Sequence, residues 1–395
     1  MASLPRRNFI KSCAGAASVA SLPGSLLANR RPDYNGPNVV IVRFGGGVRR
    51  RETIDPKHTF SPYLCHELTK RGTLYANMVL DRIEGIETSH GQGTLFILTG
   101  KYEKHRDIGD YKEGVDKQFL GARFESSVPT VFEYLRKQYN VPDHQTLIIN
   151  GEDRTDEEFY SFSNHHLFGA AFQSEVLSLY RFKVFLLRRQ IASGRWDGKK
   201  LKEKQQELKK LESIDYRTTK PRASSQIVHF WENWQAHYGD SGFVNPRGDR
   251  LLTELSLRAM KELKPKLLMI NYNDPDYVHW GNMSHYTRGI SVIDEGLKQL
   301  ITATETLDGY KDNTIFVIVP DCGRDSNPLI DIPCQHHFNS RSAHEIWALL
   351  MGPGIEKGVR IEKEVQQASV AATVGQLMQF PATFAEGPVL EEAIA

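Results

Sequence analysis

The sequence predicts an α/β fold: a doubly wound, mainly parallel sheet sandwiched by helices, with a helical insertion at about residues 160–245. Three observations carry that expectation. Residues 38–44 (N-V-V-I-V-R-F), 267–272 (L-L-M-I-N-Y) and 314–319 (T-I-F-V-I-V) are short, largely apolar runs without polar alternation, the pattern of strands buried on both faces. Amphipathic stretches separate them, and residues 250–262 and 286–302 each lead into the next run. Each run also stops at residues that carry chemistry or tight turns. These are Gly45-Gly46-Gly47, then Asn273-Asp274-Pro275-Asp276-Tyr277-Val278-His279, then Asp321-Cys322-Gly323-Arg324. Open α/β sheets keep their sites at the carboxyl ends of such strands.

The remaining elements follow in chain order. Residues 62–71 read as a helix, and 93–98 start another that closes at Thr99-Gly100. Residues 128–138 open with Pro129 and place Val131, Phe132 and Leu135 on one helical face. Residues 146–150 form a second short strand, and 176–213 a long helical stretch. Its second half, 199–210, is nearly all charged with acids and bases interspersed, which marks a solvated hairpin arm. Residues 346–351 are a late strand closed by Gly352-Pro353-Gly354, and 370–378 a last helix. One domain over residues 38–390 accommodates these elements, and 395 residues suffice for a substantial core.

Residues 1–28 stand apart. They hold Arg6, Arg7 and Lys11 and no acid, followed by a weakly apolar run of small residues. Arg6-Arg7-Asn8-Phe9-Ile10-Lys11 has the form of a twin-arginine export signal, an address read by the export machinery and not an anchor. The expectation is an exported protein, periplasmic or extracellular, with no stable membrane span, since no later stretch holds 18 consecutive apolar residues. Without the signal the chain has 47 basic residues against 48 acidic ones, which provides no electrostatic reason to bind nucleic acid. Outside the signal only Cys65, Cys322 and Cys334 remain, too few for a disulfide framework. A Cys322–Cys334 bridge, a metal-ligating Cys322 and a quiet buried thiol stay open.

The strand-end clusters suit a divalent metal. Asp274, Asp276 and His279 offer carboxylate oxygen and imidazole nitrogen within one short loop, and His336 or His337 supplies a distant ligand. Asp321 with Cys322 is a candidate second site, because a thiol beside a divalent ion ionises readily. Zinc fits these donors first, as one or two ions, with manganese, iron or calcium as alternatives. Thr88-Ser89-His90 precedes an apolar helix start. Thr88 or Ser89 is a candidate nucleophile, or an ordinary cap, and His90 a candidate ligand or base. Arg49, Arg50 and Arg51 could grip an oxyanion, and His285, His344, Asp55, Asp81 and the pair His165-His166 rank below.

Taken in order, V-V-I-V-R-F-G-G-G-V-R, T-S-H-G-Q-G-T-L-F-I-L-T-G, N-D-P-D-Y-V-H-W-G and V-P-D-C-G-R with a downstream histidine resemble the alkaline phosphatase and sulfatase superfamily over most of residues 38–355. The resemblance is nearest to exported sulfatase-like proteins with twin-arginine signals. It implies an alkaline phosphatase-like domain over 38–390. One ion would be held by Asp274 or Asp276, His279 and His336 or His337. Another would be held by Asp321, with Cys322 in the place of the family histidine. The implied activity is metal-dependent hydrolysis or transfer of a phosphate or sulfate ester on a small molecule or glycan. The alternative is a non-catalytic binding or assembly protein of the cell envelope. Two departures are plain. Gly45 and Gly46 stand where the family's first strand is followed by a metal-binding Asp, and the nucleophile position falls on His90. No C-x-P-S-R sequence is present, so formylglycine chemistry is not expected.

Overall fold

A computed structural model describes residues 31–80, 88–102, 106–107, 124–126, 128–151, 168–213, 223–244, 248–326, 333, 335–336 and 340–395. Residues 1–28, where an export signal is expected, and Asp81, His165, His166, Cys334 and His337 lie outside the described residues.

The centre is a nine-stranded sheet. In chain order its strands are β1 (Asn38–Arg43), β2 (Gly72–Val79), β3 (Thr146–Ile149), β4 (Glu175–Leu177), β5 (Leu267–Asn271), β6 (Thr314–Val319), β7 (Glu345–Met351), β8 (Val359–Ile361) and β9 (Val365–Gln366). They lie side by side as β8-β2-β7-β6-β1-β5-β3-β4, with β9 also on β2. All pairings are parallel except those of β7, which runs against both β2 and β6. The sheet is therefore mainly parallel, as the uniform apolar runs imply.

Alternate residues of β1 face opposite cores. Val40 and Val42 join a cluster with Leu255, Ile290, Ile318 and Trp347, whereas Val39 and Ile41 join Phe96, Leu135, Val317 and Val374. Helices cover both faces: α1 (His90–Thr99), α2 (Val131–Gln138), α3 (Leu179–Ala192), α4 (Gly198–Glu212), α5 (Ser225–Tyr238), α6 (Asp249–Glu262), α7 (Met283–Thr304) and α8 (Ser369–Met378). Burying a Val or Ile of such a strand contributes roughly 1.5–3 kcal/mol. The two-sided core accordingly holds β1 in a single register.

Several elements differ from the expectation. Residues 62–71 form one π-helical turn (Tyr63–Glu67) and a 3₁₀ turn (Leu68–Lys70), not a continuous α-helix. Val176 and Leu177 belong to β4, because the parallel register on β3 captures them before α3 begins behind the Ser178 cap. The helical stretch then breaks between Ala192 and Gly198, where Gly194 takes a positive φ of 70°. Within the 160–245 span, α3 and α5 bury Phe182, Phe230, Trp231 and Trp234 in the main core, and the charged α4 buries no side chain.

The topology places the site. β1 lies between β5 and β6, with Arg43 level with Asn271 on one side and Val319 on the other. The chain leaving all three strands emerges side by side at one edge. No helix among the described residues is long and apolar enough to cross a membrane.

Candidate metal centre

Three connections and one helix meet at that edge. Gly46 takes a φ of +83°, and a Cβ there would sit 2.6 Å from the Asp276 amide nitrogen. Only glycine fits such a turn against the β5 connection. α1 brings His90 as its first residue, behind the Ser89 cap. The helix can approach because Gly93 has no side chain: a Cβ would lie 2.0 Å from the Asp321 carbonyl oxygen. Helix and strand end therefore touch backbone to backbone.

Asp321 is fully buried. Its Oδ1 accepts the amides of Gly47 at 3.1 Å and Cys322 at 2.8 Å. Its Oδ2 accepts the Gly46 amide at 3.3 Å and faces His90 Nδ1 at 2.8 Å. Arg43, also fully buried, holds its Nη1 3.8 Å from the same oxygen and donates to Thr94 Oγ1 at 2.5 Å. Gln367 donates to the carbonyls of Pro320 and Asp321, fixing the strand exit. Burial alone would raise the pKa of Asp321, but His90, Arg43 and the Cys322 amide outweigh it and bring it down to about 2.

The other nitrogen of His90, Nε2, lies 2.8 Å from Asp276 Oδ1. His279 Nε2 is 2.9 Å from the same oxygen and His336 Nε2 is 3.9 Å from it. The His90 ring lies 4.3 Å from that of His336, centroid to centroid, and His279 is 5.0 Å from His336. Burial opposes charge on His90, yet the carboxylates of Asp276 and Asp321 prevail and hold its pKa well above the usual imidazole range. Arg324, wholly buried, donates from Nε to the Gly47 carbonyl at 2.9 Å and the Gly46 carbonyl at 3.1 Å. Its Nη2 donates to Asp276 Oδ1, and its Nη1 lies 3.3 Å from His279 Nε2.

Two groups of possible ligands result, and they share His90. One is His90, Asp276, His279 and His336; the other is His90, Asp321 and Cys322; within each group the donor atoms lie no more than 4.8 Å apart. The first fits a divalent ion. It offers three imidazoles and one carboxylate, the donor set that zinc, iron and manganese accept. The second fits poorly. The Asp321 oxygens already accept three amides besides facing His90, which occupies the roughly four lone-pair positions of a carboxylate. Without an ion, burial and the adjacent Asp321 push the Cys322 thiol up to about 11, a value that a bound divalent ion would lower.

The remaining candidates fall elsewhere. Asp274 turns away from the imidazoles: its Oδ1 accepts the amide of Asp249, at the start of α6. The Thr88 hydroxyl donates to the His336 carbonyl, and Ser89 Oγ accepts the Gln92 amide at 3.3 Å. Arg49 pairs with Glu52, Arg50 donates to the carbonyls of Ile346 and Met78, and Arg51 is exposed. Asp55 pairs with His58 on the surface, and His285 is exposed. His344 is buried with its Nδ1 at 3.3 Å from the Leu80 carbonyl.

Residues without an assigned role in the sequence reading prove essential to the geometry. Asp249 accepts the amides of Asn273 and Asp274 at 2.8 and 2.7 Å and shapes the β5 connection from beneath. Arg43 signals itself as the one cation in an apolar strand run, where a charge is costly unless paired.

Residues 235–382 match the family described as the Metalloenzyme superfamily. That stretch contains Asp276, His279, Asp321, Arg324 and His336 but not His90. No curated protein matches the chain by sequence. Among solved structures, a Vibrio parahaemolyticus protein of the alkaline phosphatase superfamily aligns over 96% of this chain and 76% of its own, with 13% identity and a TM-score of 0.55. The alkaline phosphatase PafA aligns over 91% of this chain and 99% of its own, with 12% identity and a TM-score of 0.52. Murine ectonucleotide pyrophosphatase/phosphodiesterase 5, solved with AMP, aligns over 91% and 100%, with 10% identity and a TM-score of 0.50. The chain thus has the alkaline phosphatase-like α/β fold, and its resemblance to the alkaline phosphatase and sulfatase superfamily extends from motif order to architecture.

Proposed function

We propose that the protein is an exported, metal-dependent hydrolase or transferase acting on a phosphate or sulfate ester of a small molecule or glycan. The observation that carries this reading is the convergence of His90, Asp276, His279 and His336 at the carboxyl edge of β1, β5 and β6. The fold supports it, since the aligned structures include a phosphatase and a protein of the same superfamily. A divalent ion at the cluster, zinc before manganese or iron, would polarise the ester and stabilise the leaving oxygen.

The chain's own residues supply the rest. Arg324, wholly buried, holds a fixed positive charge beside Asp276 and would anchor that carboxylate in place. His90 stands where the superfamily carries its nucleophile, and the hydroxyls of Thr88 and Ser89 are engaged with backbone groups. Water is therefore the attacking group in this reading. Asp276 and His279 are partly exposed, with side-chain accessibilities of 18% and 24%, so an ester can reach the cluster. Export rests on Arg6-Arg7-Asn8-Phe9-Ile10-Lys11 and is tested by following the chain into the periplasm in wild type and Arg7→Lys.

One observation favours a second reading, a binding or assembly protein of the envelope without turnover. Arg324 and His90 already pair with Asp276 without an ion. Elemental analysis of the purified protein separates the two, paired with turnover of phosphate monoesters, phosphate diesters and sulfate esters. The expected result is bound metal and turnover in the wild type, both lost in His279→Ala. A folded, metal-free, inactive wild type would defeat the enzymatic reading.

A further inference from the structure

We infer that the site takes one ion and not two, with Asp321 acting one step behind it as the residue that orients His90. This inference rests on the metal-dependent reading and deepens it.

His90 is common to both ligand groups, and its two nitrogens face opposite ways. Nδ1 faces Asp321 Oδ2 and Nε2 faces Asp276 Oδ1, each at 2.8 Å. An imidazole that ligates through one nitrogen keeps its proton on the other, where a carboxylate can accept it. Three amides pin Asp321: those of Gly46 and Gly47 in the β1 turn and that of Cys322 in its own chain. Its carboxylate cannot turn toward an ion without leaving these donors unpaired in a dry interior. With an ion bound, Nδ1–H would keep donating to Asp321, and Nε2 would release its proton and turn its lone pair to the ion held with Asp276, His279 and His336.

The place of a second cation is already served. Arg324 lies fully buried against the Gly46 and Gly47 carbonyls, donates to Asp276, and approaches His279. Gly45 and Gly46 provide no carboxylate on that side. Arg43 adds a further positive charge 3.8 Å from Asp321. Among the described residues, a second ion would face two buried guanidinium groups with one saturated carboxylate for support.

Cobalt(II) titration of the metal-free full chain tests this. Cobalt reports stoichiometry, coordination number through its visible bands, and thiolate ligation through a near-ultraviolet charge-transfer band. The expected outcome is one cobalt per chain, no thiolate band, and an unchanged spectrum in Cys322→Ser. Asp321→Asn should still bind one cobalt, about 10–100-fold more weakly, as loss of an orienting partner does. Two cobalt ions per chain, a thiolate band that Cys322→Ser removes, or unweakened binding in Asp321→Asn would overturn the inference while leaving the metal-dependent reading intact. A folded wild type that binds no cobalt would overturn both. Should Asp321→Asn fail to fold, wild-type stoichiometry and the Cys322→Ser spectrum decide alone.

Discussion

The two carboxylates on either side of His90 hold the same ring by opposite strategies. Asp321 has no exposed surface, and its acceptor positions are filled by three backbone amides and an imidazole. Asp276 is 18% exposed and is surrounded by side chains: His90, His279, His336 and Arg324. Backbone partners move only if the sheet moves, whereas side-chain partners can re-aim around a newcomer. The difference teaches which carboxylate is scaffold and which is site, a distinction that residue type alone does not provide.

The sharpest break of that comparison is Arg324→Met. It keeps the volume and removes the charge, stranding the Gly46 and Gly47 carbonyls and one side of Asp276. Breaking a buried charged pair costs about 3–5 kcal/mol. Denaturant unfolding should register a loss of that size, larger than for Arg188→Met, whose pair with Glu212 is solvent-exposed.

A smaller effect is expected from acid. The pKa of Asp321 is depressed in the folded protein, to about 2, below the roughly 3.9 of an unfolded aspartate. Its contribution is therefore present above that unfolded value and lost as pH falls through about 2. At about 1.4 kcal/mol per pH unit, the share is about 2–3 kcal/mol. Asp321→Asn should remove this acid limb from the pH profile of stability, and Asp276→Asn should leave it in place.

The smallest change tests the hydroxyls. Ser89→Ala removes the α1 cap and should lower stability by about 1 kcal/mol while turnover persists. Loss of turnover without loss of stability would return Ser89 to the role of nucleophile and reverse the reading of its bond to Gln92.

Much of the architecture was legible because it is written in contiguous residues. Buried parallel strands are uniform apolar runs, and the three that frame the site are among the clearest in the chain. β2 was not legible. Its sequence G-T-L-Y-A-N-M-V has weak strand formers at its centre, and its partners β7, β8 and β9 all come some 270 or more residues later. Within the site, Asp276, His279, Asp321, His336 and His90 could be nominated by chemistry and position. Choosing between Asp274 and Asp276 could not be done locally. The choice depends on Asp249, a residue of α6 whose carboxylate and amide both engage the β5 connection. The duties of Arg43, Arg324 and Gln367 were hidden for the same reason: each is defined by carbonyls or carboxylates distant in sequence.

The reversed direction of β7 has one more effect. Because β7 runs against β6, the chain leaves the sheet after Val319 and re-enters it at Glu345 on the same rim. His336 is delivered by that excursion, whose two feet are fastened where Gly323 donates to the Ala343 carbonyl and Asp325 to the Gln335 carbonyl. His336 therefore belongs to no strand, and its replacement breaks no rung of the ladder below, whereas Asp276 and Asp321 stand at strand exits.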